Sequence, residues 1–190
     1  MIILGSVGFH DTMNRLKIGE LLPHQNGTML IIPFARTFEA EAAKKEKNGA
    51  AMLDFKEENI FVFDRAKAEE LMSRDYDYIV VLGGNTFKLL HEVREYHLDS
   101  FIKAQAANGA VYLGFSAGAC LACPDVGYVQ DFDENPYITD GNYTALGLME
   151  QYVLCHSDIR DPGDIQKCRA YLGDGPELMT IKEHELVVLA

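Results

Sequence analysis

Basic residues are scarce in this chain: 17 lysines and arginines stand against 29 aspartates and glutamates, a formal net charge of −12. Phosphate backbones and anionic membrane surfaces are held by clustered cations, so a nucleic-acid partner or a membrane-surface role is excluded as an expectation. No apolar run approaches the ~20 residues needed to cross a bilayer. The opening MIILGSVGF has no basic stretch ahead of its apolar residues, so it reads as a first strand and not as a secretory leader, with a cytoplasmic location as the default. Cysteine is sparse too. Cys120, Cys123, Cys155 and Cys168 are too few for a disulfide framework in 190 residues. Cys120 and Cys123 form a C-x-x-C with no second pair at ligand spacing, which argues against zinc and leaves buried hydrophobes as the better reading. The chain has no G-x-G-x-x-G, no Walker lysine and no EF-hand spacing, so neither a cofactor nor a metal is expected. It also lacks internal repeats, linkers and low-complexity tracts. One domain over residues 1–190 follows, with a length sufficient for a real core.

What is present is alternation. Strand-like and helix-like patterns follow one another along the whole chain, which predicts an α/β layer fold with a mostly parallel sheet. Strands are expected at Ile2 to Leu4, Thr28 to Phe34, Ala50 to Phe55, Tyr78 to Leu82 and Tyr152 to Cys155. Helices are expected at Asp11 to Leu22, Phe38 to Asn48 with Gly49 as its stop, Arg65 to Ser73, Phe87 to Tyr96, Leu98 to Asn108 and Gly163 to Leu172. Met179 to Ile181 and Leu186 to Leu189 read as a closing hairpin around Lys182-Glu183-His184-Glu185. The acidic, turn-rich stretch from Tyr128 to Tyr143 reads as a surface segment beside the site.

The chemistry concentrates between Ala110 and Cys123. The apolar run Ala110 to Leu113 is a buried strand that enters Gly114-Phe115-Ser116-Ala117-Gly118, and helix-permissive residues follow. This is G-x-S-x-G in the strand, turn and helix context that makes a nucleophile elbow. The glycines omit the Cβ atoms that would clash in so tight a turn, and Ser116 is left at its tip. A second turn, Gly83-Gly84-Asn85-Thr86, follows the clear strand YIVVL. Its backbone N–H groups can serve a developing oxyanion. Both turns fall at the carboxyl edge of neighbouring parallel strands, where open α/β sheets place their sites.

A nucleophilic serine needs a base, and the base needs an orienting group. His91 and His97 lie on the helical stretch after Asn85 and read as solvated. His10 and His24 flank the first helix, with no visible tie to Ser116. His156 stands at a strand end. Two orders remain open from the residues alone. One is Ser116, then Asp158 or Asp161, then His184, as in an α/β-hydrolase. The other is Ser116, then His156, then a carboxylate, with Asp131 and Glu183 as candidates.

GGNTFKLL (Gly83 to Leu90) followed by GFSAGACLACP (Gly114 to Pro124) resembles the S51 serine peptidase family, whose members include aspartyl dipeptidases. The resemblance runs from the first strand, through IIPFA (Ile31 to Ala35), to the last strands. It implies a three-layer α/β sandwich of the class I glutamine amidotransferase type, with flavodoxin-like topology. It also implies Ser116 as nucleophile, His156 as general base and Glu183 as its orienting acid, with oxyanion donors at Gly84 and Ala117. Asn85, Thr86, Asp131, Arg160 and Arg169 are candidate substrate-binding residues; of these, Asp131 matches an acidic residue of the family that is a candidate for the triad or for shaping the pocket. The implied substrate is a small peptide, cleaved through an acyl-enzyme. Where the family has an aspartate-reading arginine on the helix after the histidine, this chain has Gln166, with Arg160 and Arg169 as substitutes. The apolar helix faces leave monomer and homodimer open.

Overall fold

The computed structural model describes residues 1–190. In chain order, β1 (Ile2–Gly5) leads to α1 (Thr12–Leu21), β2 (Met29–Ile32), α2 (Glu39–Ala51), β3 (Ile60–Val62) and α3 (Ala68–Met72). β4 (Tyr78–Val81), α4 (Thr86–Glu95), α5 (Leu98–Ala107), β5 (Val111–Phe115) and α6 (Ala117–Leu121) follow. β6 (Tyr152–Cys155), α7 (Pro162–Leu172), β7 (Leu178–Ile181) and β8 (Leu186–Leu189) complete the chain.

Six strands form the main sheet in the order β3-β2-β4-β5-β1-β8. The first five run parallel, and β8 pairs antiparallel with β1, Ile3 opposite Val188. β2 to β5 reproduce the 2-1-3-4 order of a flavodoxin-like sheet, and β1 fills the fifth place. β2, β4 and β5 are buried along their whole length, as strands covered on both faces must be. Alternate residues go to opposite layers. Ile31, Val80 and Leu113 share a cluster with Ile18 of α1 and with Ala43 and Ala50 of α2. Leu30, Ile79, Val81 and Tyr112 face the larger cluster built from α4, α5, α6 and β6. The result is the α/β layer fold with a mostly parallel sheet expected from the alternation, in the three-layer form that the family resemblance implies.

Four expectations are corrected. Gly49 does not stop α2, which continues to Ala51. A Cβ at Gly49 would lie 2.3 Å from the Phe9 carbonyl oxygen, so this glycine permits close packing onto the loop after β1. The strand placed at Ala50 to Phe55 is therefore helix end and turn; the strand lies later, at Ile60–Val62. Only Ala68–Met72 of the helix expected from Arg65 is α-helical, after a 3-10 turn over Arg65–Lys67. Finally, β7 and β8 do not form a hairpin. β7 pairs parallel with β6 in a separate two-stranded sheet, whereas β8 joins the main sheet. The turn carrying Glu183 thus bridges two sheets, which local pattern does not reveal.

Candidate active site

The carboxyl ends of β1, β2, β4 and β5 open into one cavity of about 590 Å³, with α2 as its outer wall. Ser6, Arg36, Gly83, Gly84, Ser116 and His156 are among its lining residues.

Ser116 caps α6 with φ 53° and ψ −111°, a conformation that side chains rarely adopt. Close packing enforces it. A Cβ on Gly118 would lie 2.1 Å from the Val81 carbonyl oxygen, so α6 can approach β4 only with glycine there. The Ser116 N–H donates to the Gly5 carbonyl at 2.8 Å, tying the elbow to β1. α6 spans only five residues and ends before Cys123. Both C-x-x-C thiols are buried, and desolvation pushes Cys120 up to about 11 and Cys123 higher still. Thiols so disfavoured as thiolates are packing groups, as the sequence implied.

Ser116 Oγ lies 3.1 Å from His156 Nε2, and His156 Nδ1 lies 2.5 Å from Glu183 Oε2. A carboxylate only accepts, so Nδ1 carries the proton and Nε2 faces the serine hydroxyl as an acceptor. His156 also has a left-handed backbone, φ 61°. Ser6 holds that corner: its buried hydroxyl accepts from the His156 N–H at 2.8 Å and donates to the Ile181 carbonyl at 3.1 Å. Asp158 accepts from the Glu183 N–H at 2.9 Å, fixing the Glu183 turn against the loop after β6. Ser6 was invisible as a functional residue in the sequence beyond its place in a Gly-Ser-Val-Gly turn.

Gly84 has φ 145°, and a Cβ there would meet the Ala35 carbonyl oxygen at 2.2 Å. Its N–H makes no hydrogen bond within the chain. The Ala117 N–H, in the first turn of α6, has no intrahelical acceptor. Asn85 lines the cavity mouth, but its side chain caps α4 through the Lys88 N–H and donates to the Glu134 carbonyl. Thr86 is buried outside the cavity lining, with its N–H held by Asp133 at 2.8 Å.

Other candidates fall elsewhere. Asp131 is exposed and does not line the cavity; the acidic residue of that segment that reaches the site loop is Asp133. The segment itself is not wholly superficial, since Tyr128, Val129 and Ile138 join the core. Arg160 donates to the Cys155 carbonyl at 2.7 Å and lies over Phe132, while Arg169 and Gln166 are exposed on α7. Neither arginine lines the cavity. His184 is exposed and pairs with Asp11 at 3.3 Å, and Asp161 caps α7, so the hydrolase-like order is not assembled. His91 and His97 are exposed, as read from the sequence.

His10 departs from its sequence reading. It lines the same cavity as Ser116, and its Nδ1 pairs with Glu46, which is buried. Hydrogen bonding to Glu46 raises the His10 pKa above its ordinary 6.5. Nothing in the local sequence signals this pairing, because Glu46 lies on α2, 36 residues away.

Known proteins resemble the chain throughout. The family model of peptidase family S51 matches residues 1–189. An uncharacterized peptidase of Listeria monocytogenes is 31% identical over 173 residues, covering 87% of this chain and 83% of that protein. Peptidase E of Citrobacter koseri is 38% identical over 113 residues, which is 56% of this chain and 48% of that protein. A solved structure from Listeria monocytogenes EGD-e superposes with a TM-score of 0.75 at 27% identity, over 97% of this chain and 91% of the other. A peptidase structure from an acI-B1 Actinobacterium, at 17% identity and TM-score 0.69, shares the fold. With a match that runs from Met1 to Leu189, the chain belongs to peptidase family S51 and is a serine-type peptidase.

Proposed function

We propose that this peptidase hydrolyses short peptides through Ser116, His156 and Glu183. The observation that carries the reading is the continuous contact from Ser116 Oγ to His156 Nε2 and from His156 Nδ1 to Glu183, at a strained elbow inside a cavity. His156 Nε2 takes the Ser116 proton as Oγ attacks the scissile carbonyl. Glu183 stabilises the imidazolium formed. The N–H groups of Gly84 and Ala117 receive the oxyanion, where preorganised donors favour the transition state over the ground state. His156 then protonates the leaving amine, and an acyl-enzyme remains on Ser116. Water, deprotonated by the same nitrogen, attacks the ester and releases the acid.

The substrate class follows from space. A cavity of about 590 Å³ suits a ligand of a few residues, and a folded protein cannot enter it. Several relatives are named Peptidase E, which supports a peptidase; a dipeptidase in particular is what the family resemblance implies. An aspartyl preference gains no support from α7, since neither Arg160 nor Arg169 lines the cavity.

A hydrolysis screen with Asp-X, Glu-X and neutral dipeptides, using Ser116→Ala as control, tests the proposal. Cleavage that disappears in the variant is the expected result. A folded wild-type protein that cleaves none of them contradicts it.

A further inference from the structure

The wall of the cavity formed by α2 and the loops after β1 and β2 has an electrostatic pattern that the triad does not use. Five charged or titratable groups line it: His10, Arg36, Glu41, Lys45 and Glu46. Glu46 is engaged by His10, through both the ring and the His10 N–H. Glu41 pairs with Lys45 at 2.9 Å. Both acids are therefore matched, and Arg36 has no carboxylate within ion-pair distance. Its Nε donates to the Gly83 carbonyl at 2.9 Å, and its two terminal nitrogens have no hydrogen-bond partner in the protein.

Position gives this arginine meaning. Gly83 packs directly on the nucleophile, since a Cβ there would lie 2.7 Å from Ser116 Cβ. It also precedes Gly84, whose N–H is the candidate oxyanion donor. The Arg36 backbone is fixed as well: Lys88 Nζ donates to the carbonyls of Arg36 and Phe34 at 3.0 and 2.6 Å and pairs with Glu39. An anchored guanidinium with free terminal donors is the geometry that binds a carboxylate in bidentate fashion. His10 adds a second donor, because Nδ1 is taken by Glu46 and Nε2 has no partner in the protein.

We infer that Arg36, assisted by His10, is the specificity-determining subsite of this cavity and binds a carboxylate of the peptide substrate. This rests on the peptidase reading above for the identity of the ligand. Two carboxylates qualify, an acidic side chain on the residue before the scissile bond and the C-terminal carboxylate of a dipeptide. The Glu46–His10 pair raises the fraction of His10 carrying charge at neutral pH, which favours the same ligand.

The test is calorimetric titration of Ser116→Ala protein, which leaves peptides uncleaved, with Asp-Leu, Asn-Leu and Asp-Leu amide. Loss of the relevant carboxylate is expected to weaken binding by about tenfold or more, a typical effect for a charge-assisted contact. Weak Asn-Leu binding identifies the side chain as the source, and weak amide binding identifies the C-terminus. Either discrimination should collapse to less than about threefold when Arg36→Gln is added. Arg36→Lys, which keeps charge without the fork, should retain part of it and serves if the glutamine variant fails to fold. Discrimination that survives in the Arg36 variants, no discrimination, or no binding of any of the three overturns the inference. Labelling of wild-type Ser116 by a neutral fluorophosphonate is measured in parallel. Its failure contradicts the peptidase reading, whereas labelling without carboxylate discrimination removes only the subsite.

Discussion

Ser116 and His156 both hold left-handed backbone angles, φ 53° and 61°, and their side chains meet across 3.1 Å. Each strained residue costs of order 1–3 kcal/mol, so the surrounding structure must hold both corners. Gly118 against Val81 holds the first, and Ser6 holds the second.

Ser6→Ala tests that second support. It leaves the His156 N–H without its acceptor, and unsatisfied polar groups of this kind cost about 1–3 kcal/mol. Chemical denaturation should show a loss of that size. kcat should also fall, with KM changed little, because His156 is no longer fixed against Ser116. A purely structural role would lower stability without affecting kcat, and Ser6→Thr should recover part of both.

Replacing Glu183 by glutamine removes the charge that stabilises the His156 imidazolium and sets an N–H donor that competes for Nδ1, favouring the wrong tautomer. kcat is expected to drop by about 10²- to 10⁴-fold, judged from triads of this type. The half-exposed position of Glu183 keeps the thermal midpoint near that of the wild type. Asp131→Asn, by contrast, should leave kcat/KM within about twofold, since Asp131 stands on the surface away from the cavity. Steady-state kinetics on the pair decides between the two acids.

Gly118→Ala should be severely destabilising, by about 3 kcal/mol or more, because the new methyl would meet the Val81 carbonyl at 2.1 Å and backbone must move. Gly175→Ala, with open space around it, should stay within about 0.5 kcal/mol of the wild type. Urea midpoints of the two variants provide the comparison.

The His10–Glu46 pair gives stability a definite pH dependence. Hydrogen bonding to Glu46 raises the His10 pKa on folding, so the native state binds more protons than the unfolded chain above about pH 6.5. The contribution is fully present below that value and is lost as pH rises through the raised native pKa. Arg36 opposes the shift and Asp11 assists it. Urea midpoints of wild type should therefore fall between pH 6 and 8 more steeply than those of Glu46→Gln. Parallel slopes would contradict the pairing.

Much of this was legible in the sequence because it is local. The apolar run into Gly114-Phe115-Ser116-Ala117-Gly118 specifies a strand and a turn within a few residues, and YIVVL before Gly83 does the same. His156 and Glu183 were reached through the family resemblance, since nothing local ties them to Ser116. The misread elements share a cause, which is that tertiary contacts override local signals. Gly49 looked like a helix stop until its packing on Phe9 was visible, and β7 and β8 looked like neighbours until each found another strand. The role of His10 is likewise hidden in the sequence, because Glu46 reaches it from α2.

Intact-mass spectrometry of the protein after brief exposure to an activated aspartyl aryl ester reads the acylation of Ser116 itself. One acyl group is expected on wild-type protein, mapped to Ser116, absent from Ser116→Ala and formed far more slowly in His156→Ala, with His184→Ala behaving as wild type. An adduct that persists in Ser116→Ala, or acylation that depends on His184 and not on His156, would contradict it.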